Sequence, residues 1–207
     1  MDDARAWLGV LSAVGAVVVI VSAAMIWWSP WAALLAMVLL ATRQQAFFVL
    51  AHDAAHYRLF SNRRLNDVVG RAFASTVGIS MCSYRVIHRL HHNDLFGETD
   101  PDTPLHGGYP RGRMYLVKRL GRDLAGLTAY KTYSYFFGAP ALNVDSEAPR
   151  RPLDDTAPGL RLAAQADRRG VIITQLVMLS IAVLSGYGIE YVLLWIVPAL
   201  TFLQALL

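Results

Sequence analysis

The chain has 207 residues, 55% of them hydrophobic and only 16% charged, with a formal net charge of +4. Its mean hydropathy is +0.38, and a soluble globular domain is nearer one quarter charged, so the composition argues against a water-soluble enzyme and for a membrane protein. The single cysteine, Cys82, excludes an internal disulfide framework and fits a reducing, cytosol-facing location, as a small buried apolar residue.

Trp7 to Trp28 is apolar apart from serine and glycine, long enough to cross a bilayer core of about 30 Å. Trp7 at one end and Trp27, Trp28 and Trp31 at the other suit interfacial anchors. A signal peptide is the competing reading, but the run exceeds an h-region of roughly 7–15 residues, and Asp2 and Asp3 spoil a basic n-region. The prediction is a retained transmembrane helix over about 7–28. Ser29-Pro30 makes a turn, because proline ends one helix and fits the first position of the next. A second span is predicted over about 31–51. Arg43, Gln44 and Gln45 interrupt its apolar character, and Arg43 either snorkels to headgroups or stands behind a polar site.

This second helix leads directly into His52-Asp-Ala-Ala-His56, and His88-Arg-Leu-His91-His92 follows further on. Five of the six histidines sit in these two clusters. Residues three and four apart share a helix face, so His52 and His56 are expected to point one way, and His88, His91 and His92 likewise. A histidine-only ligand set suits iron, zinc or copper better than magnesium or calcium. Between the clusters, Arg58 to Asp67 is a basic turn. Val68 to Met81 is too short and too polar for a span, and an interfacial or partly re-entrant helix there would bring the chain back so that the two histidine faces meet. After the second cluster comes an acidic, turn-rich stretch. Glu98, Asp100 and Asp102 would either orient ligand histidines or be surface carboxylates, the second being the somewhat commoner case. His106 is left outside the site as a solvated loop histidine.

Arg111 to Phe137 mixes basic and aromatic residues, as an interfacial amphipathic helix does. Ala139 to Gly159 is proline-rich and reads as an exposed loop, and Arg161 to Arg169 as a short helix. A third span is predicted over about 171–187 and a fourth over about 191–207. Of the nineteen Lys and Arg, seventeen lie between Arg58 and Arg169. With apolar spans on both sides of that block, the positive-inside rule accounts for it better than nucleic-acid binding does. The expected architecture is an all-α integral membrane protein, a single domain over 1–207. Four transmembrane helices form two hairpins, and a cytosolic segment 52–170 carries the histidines and interfacial helices. The N-terminus is also placed in the cytoplasm.

Two motifs of the forms HxxxH and HxxHH, in this order between two transmembrane pairs, resemble the histidine boxes of the membrane fatty acid desaturase superfamily. That superfamily also includes fatty-acid and carotenoid hydroxylases and ketolases. The resemblance covers essentially the whole chain. It implies that His52, His56, His88, His91 and His92 ligate two irons at the cytosolic membrane face. These irons would use O2 to introduce a double bond into a fatty acyl chain drawn from the bilayer, or to hydroxylate or ketolate such a chain or a carotenoid. A metal–oxygen oxidant suits an unactivated C–H bond, which side-chain acids and bases cannot break. No haem, flavin or iron–sulfur motif is present in the sequence, so the resemblance implies an external ferredoxin-like or cytochrome b5-like electron donor. The family's third box has no counterpart here, and five histidines fall short of the family's ligand set. The expectation is an N-terminal fragment or truncated gene product that binds iron poorly or at one site and is inactive alone. A haem protein would pair histidines across spans instead of clustering them beyond the apolar runs. A zinc transporter would need ionisable ligands within the spans. HExxH protease chemistry is absent, because Asp53 follows His52.

Overall fold

The computed structural model describes residues 2–97, 100–102, 111–137 and 158–207, and among these every regular element is helical. Helix α1 (Asp3–Ile26) is capped by the Asp2 carboxylate, which accepts from the Ala4 and Arg5 amides. After a turn, α2 (Pro30–Ala55) starts with proline at its first position and the Ser29 side chain accepting from Ala32 N at 3.1 Å. Both helices are long and apolar enough to cross a membrane. Much of α1's apolar surface faces outward, with Leu8, Leu11 and Val19 each at least 65% exposed. In water such a face would drive association; against lipid it is at rest.

Helix α2 runs on past the predicted limit of the second span and contains His52, with His56 as its C-cap. The chain then folds back. α3 (Arg63–Thr76), capped by Asn62, runs down along α2, and α4 (Met81–Asn93), capped by Ser80, returns. The return of the chain toward the end of α2, expected from sequence, takes this form. The fit is close at Gly70, where a β-carbon would overlap Ala54 Cβ and Met81 Sδ. Between α3 and α4 the helical ladder is broken, and side chains of later elements satisfy the freed groups. Gln175 Nε2 donates to the carbonyls of Ser75 and Thr76 at 2.6 and 3.1 Å, and Trp195 Nε1 donates to Thr76 O at 3.0 Å. The buried Asp167 carboxylate accepts from Ser80 Oγ and Cys82 N at 2.7 and 2.9 Å. Irregular backbone among apolar helices persists only where protein supplies such partners.

Three expectations are corrected here. The stretch Arg111–Phe137 is two helices, α5 (Arg113–Leu124) and α6 (Ala129–Phe136). They are separated at Gly126, which adopts φ +74, a conformation that favours glycine. α5 exposes both its basic and its apolar residues, whereas α6 packs inward, with Phe136 buried against Phe48 and Tyr84 at centroid distances of 5.3 and 5.5 Å. The short helix predicted to end at Arg169 and the third span form one helix, α7 (Pro158–Leu184). In place of a seventeen-residue fourth span, α8 runs Gly188–Leu200 and gives way to turns from Thr201. At 1.5 Å per residue α8 is about 20 Å long. Within a π-turn at Val192–Ile196 the Trp195 carbonyl accepts from the buried Gln44 side chain of α2 at 2.7 Å. The predicted loop Ala139–Gly159 lies outside the described residues up to Ala157, as do Glu98 and His106.

Candidate metal centre

Histidines four apart on a helix are offset by only about 40° around its axis. His52 and His56 therefore project together at the end of α2, and His88 and His92 project together from α4. The α3–α4 return places these two pairs face to face. His56 Nε2 lies 2.9 Å from His88 Nε2, and His88 Nε2 lies 3.1 Å from His92 Nε2. His52 closes the group, with its ring centroid 4.7 Å from that of His56 and 4.8 Å from that of His88. One nitrogen from each of His52, His56 and His88 falls within 4.8 Å of the others. Metal–imidazole bonds of about 2.1 Å hold neighbouring donors about 3.0–3.4 Å apart, so small ring rotations would convert this cluster into a ligand set.

The electrostatics favour neutral imidazoles. Burial pushes His88 down to about 3, and the neighbouring His52, His56, His92 and His91 add to the effect. His56 is lowered by burial first and then by His52 and His92. A metal needs the lone pair that a proton would occupy, and at neutral pH His56 and His88 keep theirs. Tyr84, one turn before His88, stacks on its ring at 5.0 Å with an interplanar angle of 17°.

His91 behaves differently. At three residues from His88 it is rotated about 60° to the other side. Its Nδ1 faces Asp100 Oδ1 at 2.8 Å and Asp102 Oδ2 at 3.5 Å. The expectation that all three histidines of the second cluster share one direction is thus corrected, because the carboxylates claim the middle one. Asp100 is only 1% exposed. It also accepts the amides of Phe96 and Asp102 at 2.9 and 2.8 Å, and the Tyr135 hydroxyl donates to Asp102. Burial, reinforced by Asp102, raises the Tyr135 hydroxyl and keeps it protonated as a donor. Such carboxylates fix a histidine tautomer with Nδ1–H pointing at them and Nε2 turned away. Of the two roles left open for Asp100 and Asp102, the orienting one matches their hydrogen bonding. His91, Asp100 and Asp102 also form a second grouping of potential ligand atoms.

The remaining sequence candidates lie apart from this cluster. Arg43 bonds to Thr42 on its own helix, more than two turns before His52. Cys82 is buried, as expected, with the Arg71 guanidinium donating to its sulfur at 3.2 Å, and burial raises its thiol. Sequence reasoning passed over Tyr84, Arg85 and Tyr135. Tyr84 and Arg85 carried a signal only in being one turn ahead of His88, and Tyr135 carried none. Beyond Phe47, five residues before His52, an apolar cavity of about 670 Å³ lies among α1, α3, α7 and α8, lined by Val18, Phe73, Met178 and Trp195.

Comparison with known proteins matches this arrangement to one family. The sequence model of the fatty acid desaturase family covers residues 27–207. A probable fatty acid desaturase DES1 of Sorghum bicolor is 38% identical over 85 residues, covering 41% of this chain and 21% of that protein. The chloroplastic omega-3 fatty acid desaturase of Glycine max is 27% identical over 164 residues, 72% of this chain and 34% of that one. The sn-1 acyl-lipid omega-3 desaturase (ferredoxin) of Nostoc sp. (strain 36) is 30% identical over 95 residues, 44% of this chain and 25% of its own length. The match thus spans between about a fifth and a third of the length of these three relatives.

Proposed function

Because the chain belongs to the fatty acid desaturase family, we propose that its histidine cluster holds iron for the O2-dependent introduction of a double bond into a membrane-lipid acyl chain. The observation that carries this reading is the convergence of His52, His56, His88 and His92 from two separate helices, with His88 Nε2 already 2.9 Å from His56 Nε2 and 3.1 Å from His92 Nε2. His91, held through Nδ1 by Asp100, would present Nε2 to a second iron beside the first. Imidazole ligands suit iron and leave positions open for O2. When bound, iron supplies the oxidising power to remove hydrogen from an unactivated C–H bond.

In the overall reaction two hydrogens leave adjacent carbons of the acyl chain. Together with two electrons from an external donor and two protons from solvent they reduce O2 to two waters. The chain's own residues contribute the ligand lone pairs and the placement of the substrate. The cavity behind Phe47 and Trp195 is where an acyl chain would lie. The three relatives described above are all named as desaturases and the Nostoc protein's name includes ferredoxin, so double-bond formation with a ferredoxin-like donor is the preferred reading over hydroxylation or ketolation. The arginine-rich segments would keep the histidines on the cytosolic face.

Anaerobic Fe2+ titration of the purified chain in detergent tests the metal assignment. Uptake of about one iron per chain that disappears in a His56→Ala/His88→Ala double variant is the expected result. Uptake unchanged by that substitution would overturn the assignment. Two tightly held irons per chain would contradict the expectation that this ligand set is incomplete.

A further inference from the structure

Arg85 sits on α4 three residues before His88, yet its guanidinium is spent on α2. Nε donates to Ala55 O at 3.0 Å, one NH2 hydrogen goes to Ala54 O at 2.9 Å, and the same nitrogen meets Asp67 Oδ1 at 2.6 Å. The other terminal nitrogen donates to the Tyr57 hydroxyl at 3.0 Å. Its planar carbon lies 4.0 Å from the Tyr57 ring centroid. Ala54 and Ala55 are the two residues immediately before His56, and Tyr57 is the one immediately after it. Tyr57 also adopts φ +57, a left-handed conformation that a bulky residue keeps only when its surroundings hold it there.

The last carbonyls of a helix have no intrahelical partner, and a rigid guanidinium fork is suited to gripping two of them at once. The Arg85 side chain is 17% exposed, and its bonds to the Ala54 and Ala55 carbonyls are partly buried. Asp67 balances its charge, so that the pair adds little net repulsion toward a nearby dication. One side chain therefore ties the helix end bearing His56 to the helix bearing His88, on both flanks of His56.

We propose that Arg85 is a positioning residue for the metal centre, fixing the separation and angle between the two histidine pairs without touching the metal. The proposal rests on the reading of the histidine cluster as a metal site, and its test separates the two. The full chain in detergent is titrated with Co2+, whose visible bands report ligand geometry, while thermal stability is followed in parallel. Wild type should bind Co2+ with imidazole-type bands, and His88→Ala should lose them. Arg85→Gln should bind about 10- to 100-fold more weakly, in the range of partners that orient ligands, with altered bands. Arg85→Lys, which keeps the charge but cannot span both carbonyls, should recover only part of the affinity. Asn66→Ala supplies the structural control. Asn66 also donates to Ala54 O, at 2.9 Å, but from α3, so its loss should lower stability and leave the Co2+ bands unchanged.

If wild type and His88→Ala behave alike, the metal-site reading fails, and the proposal with it. Should wild type bind and Arg85→Gln match it in affinity and bands, the metal site stands and the role of Arg85 is refuted. The role is equally refuted if Arg85→Gln and Asn66→Ala weaken Co2+ binding in proportion to the stability each loses.

Discussion

At the scale of single residues, the two histidines with shifted proton affinity set the acid behaviour of the metal-free chain. In the unfolded chain a histidine takes up its proton at about pH 6.5, whereas burial holds His88 down to about 3 in the folded one. Between those values the unfolded state binds the proton and the folded state does not, so stability falls as pH is lowered through that window. Melting temperature against pH, measured on metal-free protein, should therefore decline from about pH 6.5 downward. His88→Asn should flatten that decline; an unchanged slope would mean that His88 is not held neutral. Asp100 makes a separate prediction. Its carboxylate holds His91 at 2.8 Å and is itself satisfied by two backbone amides. Asp100→Asn keeps the size and removes the charge, and should weaken by about 10- to 100-fold the weak second site that Fe2+ or Co2+ fills only in excess over the first equivalent, while leaving the site of His52, His56 and His88 intact. Equal damage at both sites, read by stoichiometric titration, would show that Asp100 serves the fold and not the ligand.

Among the elements, the contact of α2, α3 and α4 positions the centre, and Gly70 is its tightest point. A β-carbon there meets Ala54 on one side and Met81 on the other, and overpacking of this kind costs about 1–3 kcal/mol. Gly70→Ala should lower thermal stability by that amount and widen the gap between the histidine pairs. Gly15→Ala, where nothing lies within 4 Å of the added carbon, should be neutral or slightly stabilising. The elements differ in how far sequence reveals them. Ser29-Pro30 announces a helix start, because a short polar side chain closing the first amides is a local event, whereas the caps at Asn62 and Ser80 fall inside the stretches read as a turn to Asp67 and a helix to Met81. His52 with His56, and His88 with His92, are legible for the same reason, since helix periodicity is local. The fate of His91 depended on Asp100 being buried, which only the fold decides. The continuity of α7 through Arg168-Arg169-Gly170 was likewise hidden, because Asp167 and Gln175 commit that helix to distant partners on the α3–α4 turn. α8 ends at Leu200 and turns follow, although the composition from Tyr191 to Leu207 alone reads as a span.

For the whole molecule, the distribution of apolar and basic surface determines how it can sit in a bilayer. α1 and α7 both turn large aliphatic side chains outward, among them Leu8, Leu11, Ile173 and Leu184. Arg64 at the start of α3 and Lys118 on α5 are exposed and basic. An orientation with the Ser29 turn on the outer face and the histidine centre on the cytosolic face satisfies both patterns. It also requires α7, 27 residues long, to carry Ser185 across to the outer side. Single cysteines introduced into a Cys82→Ser background and challenged with a membrane-impermeant maleimide test each part separately. Trp28→Cys and Ser185→Cys should label in intact cells, and Arg64→Cys and Lys118→Cys only after the membrane is opened. The reverse pattern would put the histidines outside, away from any cytosolic electron donor. Labelling at Trp28→Cys with protection at Ser185→Cys would leave α1 and α2 as the crossing pair, with α7 confined to the histidine side.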